Sequence, residues 1–163
     1  MGLFGIKGKI GKLIAETERK NVEAELSNVD VRKLHVSGFY MSRSGDMIGS
    51  KQSISIERSN DGRLYIKTMD APDWRSTPKV REFEISEVVL SELDEIYHRF
   101  RIYEWEDLPK GPMMCDAATT SYTFHLGNGG YNSVSFYSDQ ELPEQGFEAI
   151  AQISETVGKY SRK

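Results

Sequence analysis

A chain of 163 residues with 38% apolar and 28% charged residues has the make-up of a globular protein long enough to bury a real core. Its net charge of −4 argues against a general nucleic-acid binder. The single cysteine, Cys115, excludes an intrachain disulfide and a cysteine-based zinc motif. No apolar run is long enough to span a bilayer. That lone cysteine fits a reducing cytoplasm, the expected setting, and Lys7, Lys9 and Lys12 interrupt the one stretch that resembles a secretory leader.

Residues 1–27 form a basic amphipathic segment. Leu3, Ile6, Ile10, Leu13 and Ile14 mark an apolar face, with the three lysines among them. Gly2, Gly5, Gly8 and Gly11 each weaken a helix by about 1 kcal/mol relative to alanine. The segment is therefore expected to need a surface to fold on: its own sheet, a second protomer or an anionic membrane. Ile6 stands where a myristoylation signal requires Ser or Thr.

From Val31 the period changes to two. Leu34, Val36 and Tyr40 alternate with His35, Ser37 and Phe39 in a first predicted strand, and the loop Ser44–Gly49 comes after it. Gln52 to Met69 reads as a hairpin. Ile54, Ile56, Leu64 and Ile66 face inward, and Asn60, Asp61 and Gly62 supply the turn chemistry. Ser53, Ser55, Tyr65, Lys67 and Met69 fall on the other face. Asp70–Pro78 is a polar loop holding Trp74, a residue type common at binding hot spots. Lys79–Ile85 resumes as a strand with Phe83 and Ile85 inward.

The most periodic stretch is Ile85–Trp105. Val89, Leu93, Ile96 and Phe100 make a helical stripe, widened by Leu90 and Tyr97, and Ser86 is the predicted N-cap. Asp94 and His98 are one turn apart, but zinc needs three or four ligands and no third stands nearby in the sequence. Those two residues read as part of a solvated helix face, and neither a metal nor a cofactor is predicted.

Pro109 and Pro112 exclude a regular helix after Trp105. A second hairpin comes next, Thr120–Leu126 and Tyr131–Ser138 around Gly127–Gly130, with Tyr122, Phe124, Leu126, Val134 and Phe136 inward. Thr123, His125, Ser135 and Tyr137 join the open face. A last helix opens at Pro143 with Phe147, Ile150, Ile153 and Val157 as its buried stripe.

The elements read helix, four strands, helix, two strands, helix. That order predicts a single α+β domain over residues 1–163, a two-layer sandwich of antiparallel sheet with helices on one face. The loop SGDMIGS, the strand-to-helix stretch EFEISEVVLSELDEIY, the second hairpin and the closing pattern Pro143, Phe147, Ile150, Ile153 together resemble small bacterial α+β proteins of unknown function. The resemblance covers about residues 34–157. It implies a fold and a bacterial cytoplasmic setting, and carries over no catalytic residues.

Cys115, Asp116 and His125 are the one set resembling a nucleophile with its base and orienting group, but no nucleophile signature surrounds Cys115. A thiol beside Met113 and Met114 reads as a packing residue. Glu104, Glu106 and Asp107 lack the spacing of a calcium loop. The reading that remains is a non-catalytic interaction module. It would bind a protein partner or a second copy of itself through Trp74, Tyr65 and Tyr137, or a partner or anionic membrane through Lys7, Lys9 and Lys12. A small cysteine-dependent hydrolase is the third alternative.

Overall fold

The computed structural model describes residues 30–107, 118–137 and 142–162. The contacts divide the chain after Lys33 into two units, the second of which begins at Leu34 and holds the sheet and the two α-helices found among the described residues. The N-terminal amphipathic segment with Lys7, Lys9 and Lys12 lies outside the described residues, as do Cys115 and Asp116.

The second unit is α+β. Its strands are β1 (Val36–Ser44), β2 (Lys51–Arg58), β3 (Leu64–Ala71), β4 (Lys79–Glu84), β5 (Thr119–Leu126) and β6 (Tyr131–Phe136). Two helices, α1 (Val88–Arg99) and α2 (Gly146–Ser161), pack against each other. All six strands form one antiparallel sheet in the order β4-β3-β2-β1-β5-β6. The sheet thus departs from the chain-order layout. Its first strand is interior, and the second hairpin joins beside β1 rather than beyond β4. The segment containing α1 carries the chain from the β4 edge to the far side of β1.

The alternating residues of β2 and β3 behave as their period demands. Ile56, Leu64 and Ile66 are buried with Ile54 beside them, and Ile56 stands opposite Ile66. Tyr122, Phe124, Leu126, Val134 and Phe136 do the same on β5 and β6. β1 does not keep to one phase. A register shift between Val36 and Gly38 inserts an extra residue, so Val36 and Phe39 are both buried and Tyr40 turns outward. The predicted facing of Phe39 and Tyr40 is therefore reversed. Phe39 meets Phe124 edge-on at 5.2 Å, and Phe124 meets Tyr97 of α1 at 4.9 Å. These three rings are fully buried and join the sheet to the helix.

The helix α1 is shorter than the periodic stretch that announces it. Glu87, not Ser86, occupies the N-cap position and makes no side-chain cap. The Ser86 hydroxyl accepts from the Val88 amide at 3.3 Å, while the Glu87 carboxylate pairs with Arg58 and so ties the helix start to β2. At the other end Arg101 takes φ 52°, and the chain winds into a 3-10 turn, Ile102–Asp107. That reversal puts Ile102 and Trp105 into the core, which a straight continuation of the helix would not do.

α2 is also offset. It begins at Gly146, where a Cβ would lie 2.7 Å from that of Leu142, and its buried face is Gly146, Ala149, Ile153, Thr156 and Val157. Phe147, expected in the stripe, is 58% exposed. Ile150 is half-buried against the core.

This offset is testable by urea unfolding. Ile153→Ala is expected to lose about 2–5 kcal/mol through lost burial and a residual cavity. Phe147→Ala is expected to lose less than about 0.5 kcal/mol, as at an ordinary surface position. Equal losses would restore the stripe read from the sequence.

Candidate functional site

Three surfaces of the unit carry the candidate side chains. The first is the sheet face opposite the core. Register places Ser42, Ser53, Ser55, Ser121, Thr123, Ser133 and Ser135 around Tyr40, in neighbouring positions across its centre. The hydroxyls bond across the strands, Ser121 to Ser135 at 2.7 Å and Thr123 to Ser133 at 2.9 Å. The predicted open face is thus populated as expected, but its centre is mainly a carpet of small hydroxyls rather than an apolar patch. Tyr65 lies towards one side, beneath Arg63 at 5.9 Å, and lines a shallow groove of about 590 Å³ with Ser55, Glu57, Asp61 and Lys67. Asp61 is held down at about 2, first by the Ser59 hydroxyl, then by the Arg63 amide and guanidinium. Its bonds fix the β2–β3 turn. His125 stands on the far side of the same face, next to Tyr131, and Tyr137 lies just past the end of β6. The structure does not bring Trp74, Tyr65 and Tyr137 together into one site.

The second surface is the end of the sheet formed by the β1–β2 and β3–β4 loops. The loops are tied to each other: the Trp74 amide donates to the Ile48 carbonyl at 3.1 Å. Gly49 lies against Trp74 with φ +69°, and a Cβ there would stand 2.9 Å from that of Trp74. Each loop is also braced from within. Asp46 accepts from the Ser50 amide at 2.7 Å and from its hydroxyl, and Asp73 accepts from the amides of Arg75 and Ser76 at 2.7 and 2.8 Å. These bonds favour the ionised carboxylates. The Ser50 hydroxyl is the main cause holding Asp46 below the usual carboxylate range, and the Arg75 amide does the same for Asp73.

The braced loops hold apolar side chains in water. Met47 is 82% exposed, Ile48 59% and Trp74 71%. Trp74 does not fold back over a core edge. Its indole is instead covered on one face by the Arg75 guanidinium, 4.5 Å from the ring centroid.

The third surface lies at the opposite end of β1. Asp94 of α1 accepts from the Val36 amide at 2.8 Å through Oδ1, and lies 2.9 Å from Nδ1 of His35 through Oδ2. His98, one helical turn on, reaches the Leu34 carbonyl with Nε2 at 2.9 Å and stands 3.3 Å from Asp94 Oδ1. One ligand atom from each of His35, Asp94 and His98 falls within 4.8 Å of the others. Helical spacing alone exposed the pair Asp94 and His98. Their partner, His35, is 59 residues away from Asp94 in the chain, and only the fold reveals it. Asp94 and His98 are half-buried against the approach to β1, not on a freely solvated face.

Of the remaining sequence candidates, Glu104 pairs with Arg101. His125 faces the open sheet, and its supposed partners Cys115 and Asp116 lie outside the described residues. No helix among the described residues is long and apolar enough to cross a membrane. No protein-family model and no curated protein matches the chain.

Substitution at Gly49 probes the loop pair. Gly49→Ala is expected to destabilise it by roughly 1 kcal/mol or more, because alanine is strained at positive φ and meets Trp74. The Trp74 indole N–H signal in NMR should move with it. The same signal should respond to acid with a defined sign. The folded pKa of Asp46 is lowered, so its contribution is present above the ordinary carboxylate range and is lost as pH falls through the lowered value.

Proposed function

We propose that the protein is a non-catalytic binding module that engages a protein partner through the end of the sheet carrying Met47, Ile48 and Trp74. The observation that supports this reading is the combination of three large exposed apolar side chains with loops braced against movement. Exposed hydrophobes scattered singly need no explanation, but a cluster around a tryptophan is a different matter. Two loops tied by a main-chain hydrogen bond and by carboxylate-capped turns lose little freedom on binding. Preorganisation of that kind lowers the entropic cost of association. Trp74 stacked under Arg75 presents an apolar surface and a cation side by side, both favoured at hot spots. The partner that fits is a protein surface offering an apolar pocket beside a carboxylate.

The hydroxyl-rich open face serves this reading as a solvated surface of an antiparallel sheet. Attachment to an anionic membrane through the basic N-terminal segment is the second reading, motivated by Lys7, Lys9 and Lys12 among apolar residues.

A photo-crosslinking amino acid placed at position 48 of the full chain, in its native cell, tests the proposal. The expected result is one protein adduct of defined mass, identified and then reconstituted from purified components. Trp74→Ala should weaken that reconstituted complex by about tenfold or more, in line with a hot-spot loss above roughly 1–2 kcal/mol. Tyr131→Ala, on the open face, should leave it unchanged. Salt-sensitive flotation of the full chain with anionic vesicles, insensitive to Trp74→Ala, would replace the proposal with the membrane reading.

A further inference from the structure

We propose that His35, Asp94 and His98 form a binding site for a divalent transition metal of the zinc type. This site is separate from the Trp74 surface, at the other end of β1, and does not depend on what that surface binds.

Two imidazole nitrogens and one carboxylate oxygen suit zinc, cobalt, nickel and copper, whereas magnesium and calcium prefer all-oxygen sites. Three protein ligands with room for water complete the pattern of an open zinc site rather than a closed structural one. The spacing agrees with this donor set. In a tetrahedron with metal–ligand bonds of about 2.0–2.1 Å, neighbouring ligand atoms stand about 3.3 Å apart. Asp94 Oδ1 and His98 Nε2 are 3.3 Å apart, and Asp94 Oδ2 and His35 Nδ1 are 2.9 Å apart. These contacts run to the two different oxygens of Asp94, and one donor atom from each of the three residues lies within 4.8 Å of the others, so a small side-chain movement closes them on one ion.

The supporting contacts fit as well. The Val36 amide holds Oδ1 of Asp94, which fixes the carboxylate plane and leaves Oδ2 directed at His35. Outer contacts of this kind orient ligands in known metal sites. Asp94 and His98 project from one face of α1 by their one-turn spacing, and Tyr97 between them is locked in the core. His35 is 84% exposed and leaves the site open to an arriving ion.

In the metal-free arrangement, His98 Nε2 carries its proton towards the Leu34 carbonyl, because that oxygen can only accept. Loading the metal requires the other tautomer of the neutral ring: the Nε2 proton leaves the Leu34 carbonyl, Nδ1 takes one up from solvent, and the freed Nε2 lone pair forms the metal–nitrogen bond. His35 exchanges its contact with Asp94 in the same way. The ion would then tie the approach to β1 to the C-terminal half of α1, two segments otherwise linked there by hydrogen bonds.

The test uses the full chain stripped of metal with a chelator and titrated with zinc chloride by calorimetry. Cobalt(II) chloride provides an absorption signature for nitrogen–oxygen ligation. One ion per chain is expected, with a rise in melting temperature because zinc binds the folded form. His35→Ala changes an exposed side chain and should fold normally while weakening zinc binding by more than about tenfold. His125→Ala, which removes a histidine from the open face, should leave binding unchanged. Should Asp94→Ala or His98→Ala fail to fold, His35→Ala and the cobalt spectrum carry the test. The proposal is overturned if the wild-type chain takes up no zinc, if His35→Ala binds as the wild type does, or if Cys115→Ser abolishes uptake instead.

Discussion

β1 is hydrogen-bonded along both sides, to β2, its neighbour in the chain, and to β5, which the chain reaches only after two further strands and a helix. Without the second ladder the first four strands would be a meander with an open edge, and β5 and β6 an isolated hairpin of marginal stability. The pairing is non-local, so its loop-closure entropy is met before its contacts form. Phe39 helps to offset that cost. It sits opposite Phe124 on the ladder, and Phe124 in turn meets Tyr97, so the backbone pairing and the helix contact form around the same three rings. The bulge before Gly38 makes this possible by turning both Val36 and Phe39 to the core.

The same strand determines where the two proposed sites lie. Its entry passes under α1, where Asp94 reaches the Val36 amide. Its exit leads into the loop that meets Trp74. One end is polar and rich in ligand atoms, and the other is apolar and braced.

Much of this fold was legible in the sequence because its signals are local. Ile54, Ile56, Leu64 and Ile66 alternate without interruption around a turn whose residues tolerate positive φ, and the hairpin is the direct result. β1 was legible as a strand but not in its facing, because one inserted residue at the bulge inverts every later side chain and leaves no mark on composition. The α1 stripe held through Phe100, which is half-buried against the core, but the helix itself stops at Arg99. Arg101 adopts a conformation that residue type rarely takes, so the end of the helix is imposed by the burial of Ile102 and Trp105. Phe147 misled because aromatic residues at helical spacing normally point inward, whereas here α2 buries Gly146, Ala149, Ile153, Thr156 and Val157, with the Leu142 side chain packed over Gly146. Trp74 was visible as a candidate. Met47 and Ile48 acquire meaning only because their loop is tied to it. The histidine cluster was half legible, since Asp94 and His98 share a helix and His35 meets them through tertiary structure alone.

β4, at one border of the sheet, presents Lys79, Arg81, Glu82 and Glu84 within six residues, all exposed. A strand arriving from another molecule would have to strip water from charges of both signs before its amides could pair. The border therefore opposes the sheet's continuation into a second molecule and the growth of cross-β fibrils from it.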